Sequence, residues 1–392
     1  MLSDNLETTK PPPNWSIVQE VINRQIGSNL LFQRRFYSSL HAVNRLEFKY
    51  KLHDIEEVSA LSFNQNGNLL ARANPLTVSI WDWAARKKRC SSRCPNYRLT
   101  EAKWLPLDVE KFMVTRSFFG GIHLLDLEYN SWKLLHVEDS HFPDPVQHFM
   151  NDRSLAVHPE IPYVVFSAGF GSISSIDIRE DTPKLRYIKR CRNSCLTSIH
   201  CNPSNSNEFC VCDNLSTCVR VYDQRKISKP LYKLWITKYD KVCINIAMYN
   251  HDGTEILTLC KSSILLFDKS MWSCEGNSNP TLFDRYQFTI LEINFFGPKS
   301  EFIISASNHG DIFIYDKKKR TAAQWLIEDY KHVNHHCLGH PHIPILATAS
   351  KSNVLIWMPS SNEDPTKSIF RTVCIELSMC FFLHFSFSCL II

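Results

Sequence analysis

A repeat of about 45 residues runs through most of the 392-residue chain and limits the folds that it can adopt. Each unit closes with a short apolar run followed by Asp, as in IWD and VYD. Six aspartates take this position: Asp82, Asp126, Asp177, Asp223, Asp268 and Asp316. They are spaced 44, 51, 46, 45 and 48 residues apart, and a further 42 residues reach Met358, which replaces the seventh Asp. The chain therefore contains seven copies of one unit.

Each unit contains the same three predicted strands. The first alternates in polarity, as in VSALSFN, where a period of two places Leu61 and Phe63 on one face. The second is a short apolar run rich in small residues, such as EFIISAS, and the third ends at the Asp. Pairs of residues that supply the positive φ of a tight hairpin separate the first strand from the second: Asn66-Gly67 and Asp252-Gly253.

Units of this length with several short strands are typical of propeller blades. We therefore predict an all-β fold, a seven-bladed WD-repeat β-propeller over residues 51–360, in which the segment after each Asp supplies the outer strand. A closed ring leaves no long sheet edge exposed. Hydrophobic residues make up 44% of the chain and charged residues 21%, which suits a globular protein with a large core.

Residues 1–50 depart from the repeat and read as a polar tail with a helical extension. Asn14 is the expected N-cap of a helix over 15–27, which places Ile17 and Val21 on one apolar stripe. This helix either packs on the propeller or binds a partner, because its apolar face must be buried. The stretch that follows, NLLFQRRFYSSLHAVNRLEF, is either helical or a strand that joins the ring.

Residues 361–392 form an atypical apolar tail that ends in TVCIELSMCFFLHFSFSCLII. The segment is about long enough to cross a bilayer, but Glu376 and His384 interrupt it and no basic cluster follows. We interpret it first as a gene-model or splice artefact and second as a tail anchor. A membrane partner is therefore not expected.

The sequence favours a binding protein over an enzyme, and we predict no catalytic residue and no cofactor. GSISS at 171–175 lacks the second Gly of a nucleophile elbow and lies in a predicted strand. Only 11 glycines occur in the chain, and none of them builds a phosphate-binding loop.

Two sets of side chains could suggest a metal site or disulfides. The spacing in KHVNHHCLGHPHIP at 331–344 matches no structural zinc site, so we predict the first strand and turn of the last blade there, as at His158-Pro159, and no metal. The chain opens with a polar stretch instead of a secretory signal, so we expect reduced thiols. Four cysteines lie in predicted strands as small buried hydrophobes: Cys201, Cys210, Cys212 and Cys218.

Two basic runs, ARKKR at 85–89 and KKKR at 317–320, follow third strands and so should share one rim of the ring. The net charge is only +5, so direct binding to nucleic acid is not expected. Solvated loops are the first interpretation of these runs, and a weak nuclear-import signal is the second. We expect the protein in the nucleus and the cytoplasm.

Two of the repeated aspartates, in consecutive units, are followed by Arg two positions later. They are Asp177 with Arg179 and Asp223 with Arg225. The Asp is expected to cap the next turn or to pair with a basic group, whereas the blade itself does not require the Arg. The two guanidinium groups either offer bidentate contacts to another protein or pair with their own blades.

These features resemble the WD-repeat substrate receptors of cullin-4 RING ubiquitin ligases, which carry an aromatic-Asp-x-Arg motif on two consecutive blades. The chain looks most like the cullin-4-associated factor 8 group over residues 15–358. The segments that carry this resemblance are VSALSFNQNGNLLA with IWDW, VYDQRKI, YNHDGTE, FFGPKSEFIISAS with HGDIF, and GHPHIPILATAS with VLIW. The chain departs from the pattern where Ile176 and Tyr222 replace the Trp of the motif, where ARANPLTV replaces a Gly-Ser-Asp turn, and where the apolar end replaces an acidic tail.

The resemblance implies a non-catalytic subunit that docks target proteins on the damaged-DNA-binding adaptor of a cullin-4 ligase. The implied adaptor-binding residues lie on the two motif turns and on the N-terminal helix: Asp177, Arg179, Asp223, Arg225, Ile17 and Val21. The target protein cannot be inferred from the residues. A ligase-independent WD-repeat scaffold is the alternative, and a histone or nucleic-acid reader is a further one.

Overall fold

The computed structural model describes residues 36–54, 56–95, 98–106, 110–137, 154–180, 186–213, 216–236, 244–260, 263–272, 280–285, 289–327 and 334–360. Within them the chain forms one short helix, α1 (Leu40–Asn44), one 3-10 turn (Lys269–Met271) and 26 strands. The predicted helix over 15–27, with Ile17 and Val21, and the apolar tail lie outside the described residues. No helix in the described part of the chain is long and apolar enough to span a membrane.

The strands form successive antiparallel sheets around the ring. Strand β1 (Leu46–His53) follows α1. Blade 1 contains β2 (Ala60–Phe63), β3 (Leu69–Ala73), β4 (Thr77–Asp82) and β5 (Lys87–Arg93). Blade 2 contains β6 (Leu99–Trp104), β7 (Phe112–Ser117), β8 (Gly121–Asp126) and β9 (Ser131–Val137). Blades 3 and 4 share β10 (Leu155–Val157), β11 (Val164–Asp177), β12 (Arg186–Cys201), β13 (Glu208–Asp213), β14 (Cys218–Asp223) and β15 (Tyr232–Trp235).

The remaining strands build blades 5 to 7. Blade 5 contains β16 (Ile246–Tyr249), β17 (Glu255–Cys260), β18 (Ser263–Asp268) and β19 (Thr281–Arg285). Blade 6 contains β20 (Ile290–Phe296), β21 (Phe302–Ser307), β22 (Asp311–Asp316) and β23 (Thr321–Ile327). Blade 7 contains β24 (Asn334–Gly339), β25 (Leu346–Ser350) and β26 (Asn353–Pro359), with β1 as its fourth strand.

The six-stranded sheet β10–β15 contains two blades. The first part of β11 pairs with β10 and its last part pairs with β12. The N–H of Ile178 donates to the carbonyl of Tyr163 at 3.0 Å, so β11 folds back on itself and supplies the second and third strands of blade 3. The first part of β12 completes blade 3, and its last part pairs with β13 as the first strand of blade 4. With this division the ring has the seven blades that the repeat predicts.

The ring closes through the N-terminal strand. Strand β1 pairs antiparallel with β26, from Leu46 opposite Pro359 to His53 opposite Asn353. The outer strand of the last blade therefore precedes the ring in sequence, whereas we predicted that it follows the last repeat. The ring also draws on residues 46–50, which we had assigned to the N-terminal extension. Backbone pairing between the first and last strands holds the two ends of the ring together.

The stretch that precedes β1 packs against blades 6 and 7. Ala42 and Val43 of α1 are buried, and the ring of Tyr37 meets Phe296 edge-on at 5.2 Å. The hydroxyl of Tyr37 donates to the carbonyl of His340 at 2.6 Å. The segment for which the sequence allowed a helix or a strand thus contains both in the described residues, a short helix and then the closing strand.

The predicted strand patterns are confirmed. The second strands are buried along almost their whole length, and Leu61 and Phe63 both pack against the apolar cluster between blades 7 and 1. Gly67 and Gly253 adopt φ of 75° and 71°, as the tight turns require. The four cysteines predicted as buried hydrophobes are buried in β12, β13 and β14, and burial raises the pKa of the Cys201 thiol to about 12.

A buried charge cluster fixes the connection from β1 to blade 1. The side chain of Arg72 in β3 is 0% exposed, and its NH1 lies 3.4 Å from the carboxylate of Asp54. Its NH2 donates to the carbonyl of Glu56 at 2.5 Å. Lys88 of β5 also reaches Asp54, at 3.0 Å. Because Asp54 directly follows β1, this cluster ties the closing strand to the blade beside it, and it accounts for the Arg in ARANPLTV.

We predict that Asp54→Ala lowers the free energy of unfolding by about 3 kcal/mol, because it leaves the buried Arg72 guanidinium without its counter-charge. Arg72→Met should have a smaller effect, since it removes the buried charge while Lys88 still pairs with Asp54. Urea unfolding of both variants measures the difference. Equal losses of stability would contradict the buried-charge account.

Candidate functional site

The Asp at the end of each third strand caps the turn that follows it. In blade 2, Oδ1 of Asp126 accepts the backbone N–H groups of Glu128 and Tyr129 at 2.9 and 3.1 Å. The other five aspartates accept one or two turn N–H groups in the same way: Asp82, Asp177, Asp223, Asp268 and Asp316. The predicted capping role is confirmed. We call the side of the ring that carries these turns the Asp-turn face.

Asp177 and Asp223 use the same carboxylate to orient the Arg two positions on. Oδ1 of Asp177 accepts from the backbone N–H and Nε of Arg179, both at 3.0 Å, and Oδ2 accepts from NH2 at 2.6 Å. In blade 4, Arg225 donates to Asp223 at 2.8, 3.0 and 2.8 Å through the same three groups. The two blades therefore present one geometry twice, and we call each unit an Asp–Arg fork.

The structure shows the own-blade pairing that the sequence left open as one of two alternatives. The pairing still leaves the side chains of Arg179 and Arg225 61% and 66% exposed. It uses two of the five N–H groups of each guanidinium. The hydrogen bonds from the Arg side chains also hold the pKa of Asp177 and of Asp223 below the ordinary value, so both forks stay ionised at neutral pH. Each fork is thus a fixed ion pair whose guanidinium keeps unused donors.

Neighbouring side chains hold both forks in place. The guanidinium of Arg179 lies 4.7 Å from the ring centroid of Tyr163, at cation–π distance. In blade 4, Lys189 lies 4.7 Å from the ring of Tyr222 and donates to the carbonyls of Ile227 and Ser228, both at 3.0 Å. Since Lys189 belongs to β12 of blade 3, it ties the turn of one fork to the blade of the other.

Tyr163 and Lys189 were not predicted as site residues. Tyr163 could have been found from register, because in blades 2 to 6 the residue after the motif Asp donates its N–H to the residue that precedes the second strand, as Ile178 does to Tyr163. No spacing rule indicates Lys189, whose role depends on the contact between two blades. Ile176 and Tyr222, which replace the motif Trp, are buried and fill the core behind the forks.

The basic runs follow Asp82 and Asp316 on the Asp-turn face, where the sequence placed them. Several of their charges already pair within the ring: Arg89 contacts Asp82 at 3.1 Å, and Lys317 contacts Glu255 at 2.5 Å. Arg86 stacks on the ring of Tyr50, with its guanidinium carbon 4.1 Å from the centroid. The two ion pairs reduce the positive charge that the runs offer to a polyanion.

A central channel of about 700 Å³ is lined by the first strands of all seven blades. Its charged side chains connect neighbouring strands. Glu101 pairs with Lys103 at 2.9 Å and accepts the N–H of Leu155, in the next blade, at 2.9 Å. Glu292 of blade 6 meets His336 of blade 7 at 2.7 Å. The channel was not singled out in the sequence, because it forms only when the ring closes.

His340, in the His-rich segment, has a structural role. Its Nδ1 accepts the N–H groups of His342 and Ile343 at 3.0 and 3.1 Å, and its Nε2 lies 2.8 Å from the carbonyl of Gly67 in blade 1. A Cβ on Gly67 would lie 2.3 Å from the imidazole, so only glycine allows this approach. Among the described residues no group of three or more His, Cys, Asp or Glu is arranged to hold a metal ion.

No protein-family model matches the chain. Among solved structures, the chain is similar to the Cps50 (Swd1) β-propeller domain of Myceliophteria thermophila, with a TM-score of 0.64 and 16% sequence identity. The match covers 80% of this chain and 100% of that one. The chain has a WD40-like seven-bladed β-propeller fold.

We predict that His340 makes the closure of the ring sensitive to acid. Burial lowers the pKa of His340 from 6.5 to about 4, because the charged imidazolium would lose its hydration there. The unfolded chain therefore binds more protons between these values, and stability falls as pH drops from 6.5 towards 4, by up to about 3 kcal/mol.

His340→Asn supplies the matched control, because Asn occupies the equivalent turn position in three other blades. These residues are Asn64 in blade 1, Asn202 in blade 4 and Asn250 in blade 5. The variant should be less stable at neutral pH but should lose less stability on acidification. Thermal unfolding at a series of pH values compares the two proteins. Parallel pH profiles would show that His340 does not carry the effect.

Proposed function

We propose that the protein is a substrate-recognition receptor that docks target proteins on the damaged-DNA-binding adaptor of a cullin-4 RING ubiquitin ligase. The observation that supports this proposal is the pair of Asp–Arg forks on consecutive blades. Both forks lie on the Asp-turn face, both are held by the same three hydrogen bonds, and both guanidinium groups are largely exposed.

The forks suit docking because their geometry is set before a partner arrives. Ordering a long side chain on binding costs about 0.5–1.5 kcal/mol, and Asp177 and Asp223 have already ordered Arg179 and Arg225. The donors that remain on each guanidinium can form charge-assisted bonds to a carboxylate or carbonyl. Two such contacts on neighbouring blades would fix both the position and the orientation of the adaptor.

The turns themselves do not require the arginines. In blades 2 and 5 the capping Asp is satisfied by turn residues alone, Glu128 and Tyr129 in one case and Ser270 in the other. Of the six repeated Asp residues, only Asp177 and Asp223 are followed by Arg at the second position. An Arg that adds nothing to the cap, repeated on adjacent blades, fits a role toward a partner.

In this proposal the propeller contributes binding only, and ubiquitin transfer takes place elsewhere in the ligase, in the nucleus and the cytoplasm. A second surface of the ring would hold the target protein. The alternative is a WD-repeat scaffold that acts without the ligase, or a reader of histones or nucleic acid. Co-purification separates these functions, since only the receptor requires the adaptor and cullin-4 in one complex.

We predict that Arg179→Ala with Arg225→Ala abolishes detectable adaptor binding, because desolvated Arg contacts near the middle of an interface are typically worth about 2 kcal/mol or more each. The melting temperature should stay nearly unchanged, since both side chains are exposed. Adaptor pull-down beside thermal melting measures both effects.

Lys318→Ala with Arg320→Ala is the matched control, because it removes two exposed cations from the same face in blade 6. This variant should bind the adaptor normally. Normal binding by the Arg179/Arg225 variant would show that the forks are architectural, and a large loss of its stability would show that each Arg closes its own strand end.

We also predict that deleting residues 14–27 weakens adaptor binding independently of the forks, because it removes the predicted helix that carries Ile17 and Val21. Ile17→Asp with Val21→Asp should reproduce the loss without shortening the chain. Affinity measured for the deletion, the fork variant and their combination tests independence. An unchanged affinity of the deletion variant would assign the segment to another role.

A further inference from the structure

Two exposed apolar side chains lie on the Asp-turn face of blades 2 and 3. Tyr129 of blade 2 is 77% exposed and Ile161 of blade 3 is 44% exposed. The other large hydrophobic side chains that the structure describes as exposed are on outer strands or, in the case of Phe119, on the turn between the second and third strands at the opposite face. Within the described residues, the exposed large apolar side chains on the Asp-turn face thus belong to blades 2 and 3, and blade 3 carries the fork of Arg179.

The turn of blade 2 holds Tyr129 in a fixed position. Its backbone N–H donates to Oδ1 of Asp126 at 3.1 Å, and the next residue, Asn130, adopts φ of 50°. Lys133, at the start of β9, donates from Nζ to the carbonyl of Glu180 at 3.0 Å. Because Glu180 directly follows Arg179, this bond connects the Tyr129 turn to the fork of blade 3.

Ile161 is fixed from the other side of the same fork. Its N–H donates to Nδ1 of the buried His158 at 2.9 Å, and its carbonyl accepts the N–H of Val164 at 3.0 Å. Two residues on, Tyr163 lies against the guanidinium of Arg179 at 4.7 Å. On blade 3, Ile161 is therefore followed by Tyr163, and Tyr163 contacts Arg179, so the three residues form one continuous surface.

The support beneath this surface is a packed core between blades 2 and 3. Leu135 of β9 and Ile178, which follows Asp177, are buried in one apolar cluster, and Tyr163 packs against its edge. The turns that carry Tyr129, Ile161 and Arg179 thus rest on one rigid junction. A partner that binds here would order few side chains, and Tyr and Arg are enriched among the residues that dominate binding energy.

We propose that Tyr129 and Ile161, together with Arg179, form an anchor site for an apolar side chain of the adaptor. The inference rests on the proposed function and extends its interface from blades 3 and 4 to blade 2. The apolar side chain lies between Tyr129 and Ile161, and a carbonyl or single carboxylate beside it accepts from Arg179.

The local charges favour such a partner over a strongly acidic one. An exposed glutamate is the immediate sequence neighbour of each of the three residues: Glu128 of Tyr129, Glu160 of Ile161 and Glu180 of Arg179. Glu128 pairs with Lys111 at 3.0 Å. These carboxylates would repel a run of acidic residues, whereas they leave an apolar contact unaffected. Binding through this part of the interface should therefore depend little on ionic strength.

The test measures the affinity of the purified full-length chain for the purified adaptor by calorimetry, at low and high salt. Tyr129→Ala with Ile161→Ser should weaken binding about tenfold or more at both salt concentrations, with an unchanged melting temperature. Because Ile161 is part of a turn, Tyr129→Ala is measured alone as well. It removes only an exposed ring and should weaken binding about threefold or more.

Phe119→Ala is the matched control, since Phe119 is 61% exposed on the opposite face, and it should bind like the wild type. If the Arg179/Arg225 variant loses binding while Tyr129→Ala and the Tyr129/Ile161 variant keep wild-type affinity, the anchor site is wrong and the receptor function stands. If the wild-type chain does not bind the adaptor, both proposals fail. Loss of binding in Phe119→Ala as well would also overturn the anchor site.

Discussion

The pairing of β1 with β26 is the interaction on which the rest of the structure depends. Seven blades expose a common face only when the ring is closed, and closure here is a backbone ladder between the two ends of the ring. Three neighbouring contacts further stabilise the closed ring. Arg72 meets Asp54 behind β1, Tyr50 of β1 donates to the carbonyl of Trp83 at 2.6 Å, and His340 reaches across to Gly67. The positions of all the Asp turns follow from this junction.

The same physical device serves structure and the proposed function. A turn after a strand leaves backbone N–H groups without partners, and a carboxylate at the strand end accepts them. In blade 2 the carboxylate of Asp126 does only this, whereas in blades 3 and 4 a single Arg recruits the same carboxylate as its orienting partner. A change of one residue in an existing turn thus creates a fixed ion pair without a new loop. Repeating it on the next blade yields two fixed points on one surface.

Features that depend on residues close together in the sequence could be predicted, whereas features that depend on distant residues could not. The period, the buried second strands and the positive φ of Gly67 are local properties, so they are visible in the residues themselves. The closing role of β1 is not visible in this way, because its partner strand lies some 300 residues away in the sequence. The Asp-x-Arg spacing identified Arg179 and Arg225 in the sequence. It did not decide whether each Arg pairs with its own Asp or contacts another protein, because an exposed Arg can do either. The role of Lys189 could not be predicted, because its hydrogen bonds join blade 3 to the turn of blade 4.

Charge balance determines how the Asp-turn face can bind. The basic runs, interpreted first as solvated loops, are partly neutralised by Asp82 and Glu255, and Glu180 directly follows the Arg of the fork of blade 3. Long-range attraction would therefore contribute little, and affinity must come from short contacts made at the right distance and angle. Such contacts can come from the two guanidinium groups, which Asp177 and Asp223 already orient, and from the apolar pair on capped turns. Both are ordered before the partner binds. A face built in this way selects its partner by shape more than by charge.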